Sequence, residues 1–266
     1  MSVRNSLKAG LALLFAGGLV ALSPAVLSAA RAENPPASAI PDDAMAVIGR
    51  MGKTLQAKEF SFHAHTFRAY AGPNGELLHI AHTTKTFVHR PDRLSVEVTG
   101  DDGSNKFFYD GKTLVVYSLE QKKYASIPVT GNIDQMIDVA EKRLGTDFPL
   151  ADLLTDDPAK SVLSGVTSGG QVGTSIINGV PCRHFFFNQA DDLDLELWLE
   201  DNEKALPRRF VVTYRSLPGR PSFIAELSDW DFSTKIPDAA FVFQPPAGVV
   251  QVDVKAGNAS APAPAK

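Results

Sequence analysis

The sequence has almost no cysteine and lacks the common catalytic motifs. Cys182 is the only cysteine, which excludes an intramolecular disulfide. We interpret it as a small buried residue rather than a reactive or intermolecular thiol. There is no G-x-S-x-G, no H-E-x-x-H, no glycine-rich phosphate loop, and no S-x-x-K after residue 32. We therefore expect that the protein is not an enzyme and needs no cofactor.

Clusters of basic residues are also absent. The formal net charge of the whole chain is −4, from 26 basic and 30 acidic residues. A mildly acidic chain without a basic patch binds nucleic acid and anionic membrane surfaces poorly. We expect no nucleic-acid partner.

The N-terminus has the pattern of an export signal. Two basic residues precede an apolar run at residues 11–22, and small residues follow up to an A-x-A pattern that ends at Ala32. This predicts a signal peptide over residues 1–32, cleaved after Ala32, and a periplasmic protein without a stable membrane anchor. The alternative is an uncleaved anchor, since the apolar stretch can be extended to Leu27, but Pro24 disfavours it. Cleavage removes three basic residues and no acid, so the formal charge changes from −4 to −7.

Strand patterns occupy most of the remaining chain. Residues 192–200 alternate leucines with mostly acidic side chains, which predicts a strand with one buried face. A short polar loop leads to a second run at 209–215, so the two runs predict an antiparallel hairpin. Six runs between residues 60 and 127 have no helix between them, which predicts an antiparallel meander. Within it, Asp110-Gly111 predicts a type I′ turn.

One helix is predicted before this meander and a second helix after it. The second begins with a capping box, Asn132 and Gln135, and ends at Gly145. Residues 165–173 are rich in glycine and are interpreted as a connection. The first helix opens at Pro41-Asp42-Asp43, and its apolar stripe consists of Met45, Val47, Ile48, Met51 and Leu55.

Several histidines and acids are candidate metal ligands. Five of the six histidines lie within residues 60–90, and His63 and His65 have a spacing that can place two imidazoles on one metal. No nearby acid or cysteine completes a tetrahedral set, so we predict no metal site and keep a histidine-based metalloprotein as the less favoured alternative. The acids at 191–196 are interpreted as the solvated side of a strand and not as a calcium cluster.

Seven short motifs accompany the predicted order of helix, meander, helix and a second group of strands. They are YDGK at 109–112, VY at 116–117, GVPCRH at 179–184, LWLE at 197–200, LPRR at 206–209, DW at 229–230 and FVFQPP at 241–246. With these motifs, residues 42–250 resemble the LolA/LolB-like carriers of bacterial lipoprotein localisation. More narrowly, they are similar to an exported bacterial family of unknown function.

The resemblance implies the fold and the domain organisation. The expected fold is mainly β (α+β), an incomplete and strongly curved antiparallel β-barrel of about 11 strands with helices covering the open concave side. We expect a signal peptide at 1–32, a disordered leader at 33–40, a single half-barrel domain at 41–252, and a disordered Ala/Pro tail at 253–266.

The resemblance also implies a function. In that superfamily the concave apolar face receives lipid acyl chains or hydrophobic segments of partner proteins. The expected function is a soluble periplasmic carrier that holds a hydrophobic ligand; the alternative is an interaction or sensor module that holds an envelope protein in the same groove. Phenylalanines 185–187 place aromatic area on both faces of one strand, so a helix, a ligand or a partner must cover it. The alternation predicts a groove lined by Phe185, Phe187, Leu195, Leu197, Phe210, Val212 and Tyr214.

Overall fold

The structure is a computed structural model that describes residues 40–253, except 73, 75, 146, 147 and 191. The predicted signal peptide, and almost all of the predicted leader and tail, lie outside the described residues, so the domain boundaries stay predictions. The helices are α1 (Asp42–Leu55), α2 (Ile133–Leu144) and α3 (Pro158–Val162), with 3-10 turns at Ala151–Leu153 and Asp238–Phe241. The strands are β1 (Glu59–Ala71), β2 (Leu77–His89), β3 (Arg93–Gly100), β4 (Gly103–Tyr109), β5 (Thr113–Ser118), β6 (Lys123–Pro128), β7 (Val166–Ile177), β8 (Val180–Gln189), β9 (Leu193–Glu200), β10 (Pro207–Tyr214), β11 (Ser222–Asp231) and β12 (Val250–Gln251).

The described strands form one sheet in the order β12-β6-β5-β4-β3-β2-β1-β11-β10-β9-β8-β7. Neighbours are antiparallel except β12, which runs parallel to β6. The sheet is curved, and β7 and β12 stay apart as its two edges, so the barrel is incomplete. This confirms the predicted mainly β fold. The described strands number twelve rather than about eleven, because Val250–Gln251 adds a short edge strand.

The hairpin predicted from the leucine alternation is confirmed. Strands β9 and β10 are antiparallel, and Leu197 faces Phe210. The opposite side of β9 is less exposed than predicted. Asp194 is only 7% exposed, and its Oδ2 accepts a hydrogen bond from Arg220 at 3.1 Å. The interpretation as a wholly solvated acidic side is therefore wrong at Asp194, where charged partners replace water.

The turn at Asp110-Gly111 is not of the predicted type I′. Gly111 has a φ of +89°, but Asp110 keeps a negative φ. The Oδ1 atom of Asp110 instead accepts from the backbone N–H groups of the two residues after Gly111, at 2.9 and 2.8 Å. Positive φ at both central residues occurs at Asn178 and Gly179, with +48° and +82°, between β7 and β8. The hairpin at 110–111 is thus confirmed, and its turn type is wrong.

The glycine-rich segment at 165–173 is mostly strand, so its interpretation as a connection is wrong. Strand β7 begins at Val166 and pairs with β8. At Gly169, where φ is +151°, an added Cβ would lie 2.6 Å from Cδ1 of Phe187. Glycine is needed because the Phe186 carbonyl oxygen, at 2.3 Å, and this ring leave no room for a Cβ. The same glycines weaken the strand pattern in the sequence.

The ends of helix α2 are as predicted. The Asn132 side chain accepts from the Gln135 backbone N–H at 3.0 Å, and the Gln135 side chain accepts from the Asn132 backbone N–H at 3.0 Å. Gly145 ends the helix in the left-handed region, with φ +66°. This capping fixes where α2 begins and ends.

Helix α1 buries the predicted stripe except for Met45, which is 43% exposed. Helix α3 crosses α1 closely, since a Cβ added at Gly52 would lie 2.5 Å from Cβ of Ala159. Glycine at this position therefore allows the two helices to pack against each other.

Candidate functional site

One face of the sheet, called the inner face here, carries the hydrophobic core. The register places Phe62 beside Thr86, Thr86 beside Val96, and Val96 beside Phe107, across β1 to β4. Residues that lie directly opposite each other on paired strands project to the same face of the sheet, and the next residue along each strand projects to the other face. We call the inner face of β1–β5 the cavity half and the inner face of β8–β11 the packed half.

Helices α1 and α3 cover the packed half. Near the start of α1, Asp43 pairs with Arg183 of β8 at 3.0 Å. Near its end, Oγ1 of Thr54 donates to the carbonyl of Lys204, between β9 and β10, at 2.8 Å. Large aromatic side chains fill the space beneath the helices and are at most 1% exposed: Phe185, Phe187 and Phe210.

Helix α2 covers the cavity half, and a cavity of about 340 Å³ lies beneath it. One wall comes from α2 and the segment that follows it, and the other wall comes from the sheet. The helix and segment contribute Met136, Ile137, Ala140, Phe148, Pro149, Leu150, Ala151 and Leu154. The sheet contributes Phe62, Thr66, Arg68, Tyr70, His82, Thr84, Thr86, Leu94, Val96, Val98, Asp102, Asn105, Phe107, Tyr109, Leu114 and Phe223.

The charged side chains of the described lining lie at one end of this cavity. Leu94, Tyr109 and Leu114 are paired neighbours toward the Pro91 end of the sheet. Arg68 and Tyr70 lie toward the β1–β2 hairpin, at the other end. From Phe62 to Arg68 the lining changes from a phenyl ring to a guanidinium over about 20 Å of strand, at about 3.3 Å per residue. We call the end at Arg68 and Tyr70 the polar end.

The side chains at the polar end hold one another in place. The imidazole Nε2 of His82 lies 2.6 Å from Oδ1 of Asp102. Arg68 donates to the hydroxyl of Tyr214 at 3.4 Å, and its guanidinium lies 5.5 Å from the centre of the Tyr70 ring. These contacts orient the Arg68 guanidinium and a contacting His–Asp pair toward the same end of the cavity.

Thr84 is a polar residue of the cavity wall. Its Oγ1 is buried and makes no hydrogen bond to any described residue. Its paired neighbours on the inner face are Ala64 and Val98, whose side chains have no hydrogen-bonding group. A buried hydroxyl left unpaired costs about 1–3 kcal/mol.

Tyr109 ties the sheet to the loop before α2. It is fully buried, and its hydroxyl donates to the carbonyl of Gly131 at 2.7 Å. Burial raises the pKa of Tyr109, and the charges of Asp92 and Asp110 raise it further. The phenol thus remains a hydrogen-bond donor, and this bond holds the N-terminal end of α2 against the apolar end of the cavity.

Arg90 connects the segments that cover the packed half and the cavity half. Its guanidinium donates to the carbonyl of Leu55, at the end of α1, at 3.2 and 3.0 Å, and to the carbonyl of Leu154 at 2.8 Å. Burial lowers the pKa of Arg90, and nearby Asp156 opposes that change. Arg90 therefore joins the end of α1 to the segment that lines the cavity.

The seven predicted groove residues all lie on the inner face, but none of them lines the cavity. Six are buried in the packed half, and Tyr214 lies at its edge, where it contacts Arg68. Their contact with a ligand stays a prediction. The sequence patterns did not single out Arg68, His82 and Thr84 as lining residues. Strand alternation assigns a side chain to a face of the sheet, but it does not show which helix covers that face.

The two candidate metal-binding histidines of β1 have other neighbours. Nδ1 of His63 lies 3.0 Å from Oδ2 of Asp229, and Nδ1 of His65 lies 3.4 Å from Oγ1 of Thr83. Within the described residues, no three His, Cys, Asp or Glu side chains are grouped so as to hold a metal ion.

Cys182 is 1% exposed, and burial raises the pKa of its thiol. This confirms the interpretation as a small buried residue. In the part of the chain that the structure describes, no helix has the length and apolar character needed to cross a bilayer.

Comparison with known proteins gives a family and several similar structures. A family model described as "Predicted periplasmic protein (DUF2092)" matches residues 44–255. No curated protein matches the chain.

Three solved structures illustrate the structural similarity. The Mycobacterium tuberculosis lipoprotein LppX is 15% identical, with a TM-score of 0.45 over 74% of this chain and 99% of LppX. A LolA superfamily protein from Nitrosomonas europaea is 11% identical, with a TM-score of 0.39 over 75% of this chain and 97% of that protein. A chain of the Pseudomonas aeruginosa MucA/MucB complex is 16% identical, with a TM-score of 0.42 over 76% of this chain and 61% of that chain. At these identities and TM-scores the similarities assign neither a ligand nor a partner to this chain.

Proposed function

We propose, from the premise that this chain belongs to the periplasmic DUF2092 family, that it binds one hydrophobic ligand in the cavity beneath α2. The membership confirms the predicted exported family and the periplasmic location. The proposed ligand is a lipid or an acyl chain, and the proposed activity is binding and carriage rather than catalysis.

The observation that carries this proposal is the apolar cavity itself. Protein interiors are close-packed, and voids larger than a water molecule are few. The volume of about 340 Å³ lies within the range of small-molecule pockets, about 300–1,000 Å³. A ligand chain would gain about 0.8 kcal/mol for each methylene buried there, offset by the cost of association.

Movement of α2 is the proposed route of entry. Glycines in left-handed or related conformations flank the helix, Gly131 with φ +144° and Gly145 with φ +66°. The bond from Tyr109 to the Gly131 carbonyl holds one end of the helix. A change in φ and ψ at these glycines would lift α2 from the cavity half and leave the packed half unchanged.

A cavity-filling substitution on α2 tests the proposal. Ala140 lines the cavity, whereas Asp138, on the same helix, is exposed. We expect Ala140→Phe to occupy the site and abolish ligand uptake, and Asp138→Phe to leave uptake intact. Native mass spectrometry of mature protein, purified from periplasm without detergent, is the measurement, with thermal unfolding as the check of folding.

The expected result is an added mass of several hundred daltons in the wild type and in Asp138→Phe, absent in Ala140→Phe. A bare mass in the wild type, together with no uptake of a fluorescent fatty acid, would overturn the proposal.

A second candidate is an envelope protein segment in the same cavity. Exposed apolar side chains, Phe67, Leu77 and Leu78, lie at the β1–β2 hairpin, at the same end of the sheet as Tyr70 of the polar end. A protein segment that binds in the cavity would also contact these exposed side chains. Its signature is a single envelope protein that co-purifies with the wild type and is lost from Ala140→Phe.

A further inference from the structure

The two edges of the sheet are protected to different degrees. At one edge the chain covers β6 with its own strand β12, which is only two residues long. At the other edge β7 has twelve residues and pairs with β8 alone among the described strands. An edge strand presents backbone N–H and C=O groups that can pair with another chain. We infer that β7 binds a second copy of this chain, in a two-fold dimer with antiparallel β7 strands.

The side chains of β7 support an interface at this edge. Ile176 and Val172 are 71% and 61% exposed, and they are the two most exposed large hydrophobic side chains of the described residues. Single exposed apolar side chains are common on protein surfaces. Two on one uncovered edge strand form an apolar surface that a partner strand would remove from water.

The strand also lacks the residues that usually keep sheet edges apart. Residues 166–177 include no Lys, Arg, Asp, Glu or Pro. The pairing with β8 shifts register between Val166 and Ser168 and again between Gln171 and Gly173, and such bulges protect the first part of the strand. From Gly173 to Ile177 the pairing is regular. We therefore assign the contact between copies to residues 172–177.

The absence of charge favours an identical partner. A two-fold contact between two copies of a charged strand brings like charges close together, which destabilises the pair. Strand β7 has no charged residue, so two β7 strands meet without this repulsion. The contact also closes on itself, because each copy uses its β7 edge once and has no second edge of this kind for a third copy.

The chain's own terminal segments are less suited to this edge. The described chain begins beside β7, since a Cβ added at Gly170 would lie 3.4 Å from Cδ of Pro41. In the predicted leader, residues 33–39, Pro35 and Pro36 lack the N–H groups that a paired strand donates. Strand β12, near the other end of the described chain, lies at the opposite edge of the sheet.

This dimer would leave the ligand cavity free. In the sheet order, β8, β9, β10 and β11 separate β7 from β1, the nearest strand of the cavity half. The inference therefore does not rest on the proposed ligand, and its test needs none.

The experiment is analytical ultracentrifugation of mature protein over a range of about 1–100 μM. We expect a monomer–dimer equilibrium, and a thermal midpoint that rises with protein concentration, because the dimer dissociates on unfolding. Val172→Lys and Ile176→Lys should each raise the dissociation constant at least about tenfold, since each places a charge from both copies at the contact. Both side chains are exposed, so both variants should remain folded.

Val250→Lys is the matched control. Val250 is 58% exposed and lies on β12, at the opposite edge of the sheet. This variant should dimerise like the wild type. Loss of the dimer in Val250→Lys, or a dimer that both β7 variants retain, would overturn the assignment to β7.

A wild type that stays a monomer at the highest concentration overturns the second copy as the partner. If deletion of residues 33–39 then produces a dimer that Val172→Lys abolishes, the leader is the occupant of the edge. If one envelope protein co-purifies with the wild type and is lost from Val172→Lys, the occupant is a strand of that protein. Larger species without a defined stoichiometry would contradict the closed two-fold contact. Ligand uptake by Val172→Lys should equal that of the wild type in every case.

Discussion

The packed half and the cavity half lie on the same face of one sheet and are filled in different ways. In the packed half, α1 lies against the strands and meets α3 at Gly52, and phenylalanines such as Phe210 fill the remaining space. In the cavity half, a hydrogen bond from Tyr109 to the Gly131 carbonyl holds the N-terminal end of α2, and half-buried side chains such as Phe107 border the cavity. The difference shows that the covering helix, rather than the strand pattern, determines where the sheet leaves a cavity.

The largest expected effect compares one phenylalanine from each half. Phe210→Ala should lower the free energy of unfolding by about 3–5 kcal/mol, because the ring is fully enclosed. Phe107→Ala should cost less than about 2 kcal/mol, since part of its ring borders the cavity. Urea unfolding of both variants measures this. Equal losses would mean that the two halves are packed alike.

A smaller effect tests the close packing of α1 and α3. Gly52→Ala should destabilise by about 1–3 kcal/mol, because the new methyl group overlaps Ala159. Gly49→Ala, on the exposed side of the same helix, should instead stabilise by up to about 1 kcal/mol, since nothing lies within 4 Å and alanine favours helix. Thermal unfolding of both variants gives the signs. A stabilising Gly52→Ala would contradict the close contact.

Local patterns predicted local structure well. The leucine alternation of β9 and the capping box at Asn132 depend on neighbours within a few residues, and both are confirmed. The prediction of a type I′ turn at Asp110-Gly111 was wrong because Oδ1 of Asp110 accepts hydrogen bonds from two backbone N–H groups of the turn. The dipeptide rule does not consider this side-chain contact. The strand around Gly169 was missed because its partner, and not its own propensity, makes it a strand.

The site was less predictable, for a physical reason. Arg68, Thr84 and Phe223 come from three strands, and the pairing of β1 with β11 joins residues far apart in the sequence. Alternation identified the inner face correctly, including the seven predicted groove residues. It could not show that α1 covers one half and α2 the other, because helix placement depends on tertiary packing.

The most direct test of the central claim is the position of a bound ligand. We would load the mature protein with a photoreactive fatty acid that carries a diazirine on its chain, irradiate it, and map the labelled peptides. The predicted labels fall on α2 and on the cavity half, at residues such as Met136 and Phe107. Labels on Phe185, Phe187, Leu195 or Leu197 would place the ligand in the packed half and contradict the account.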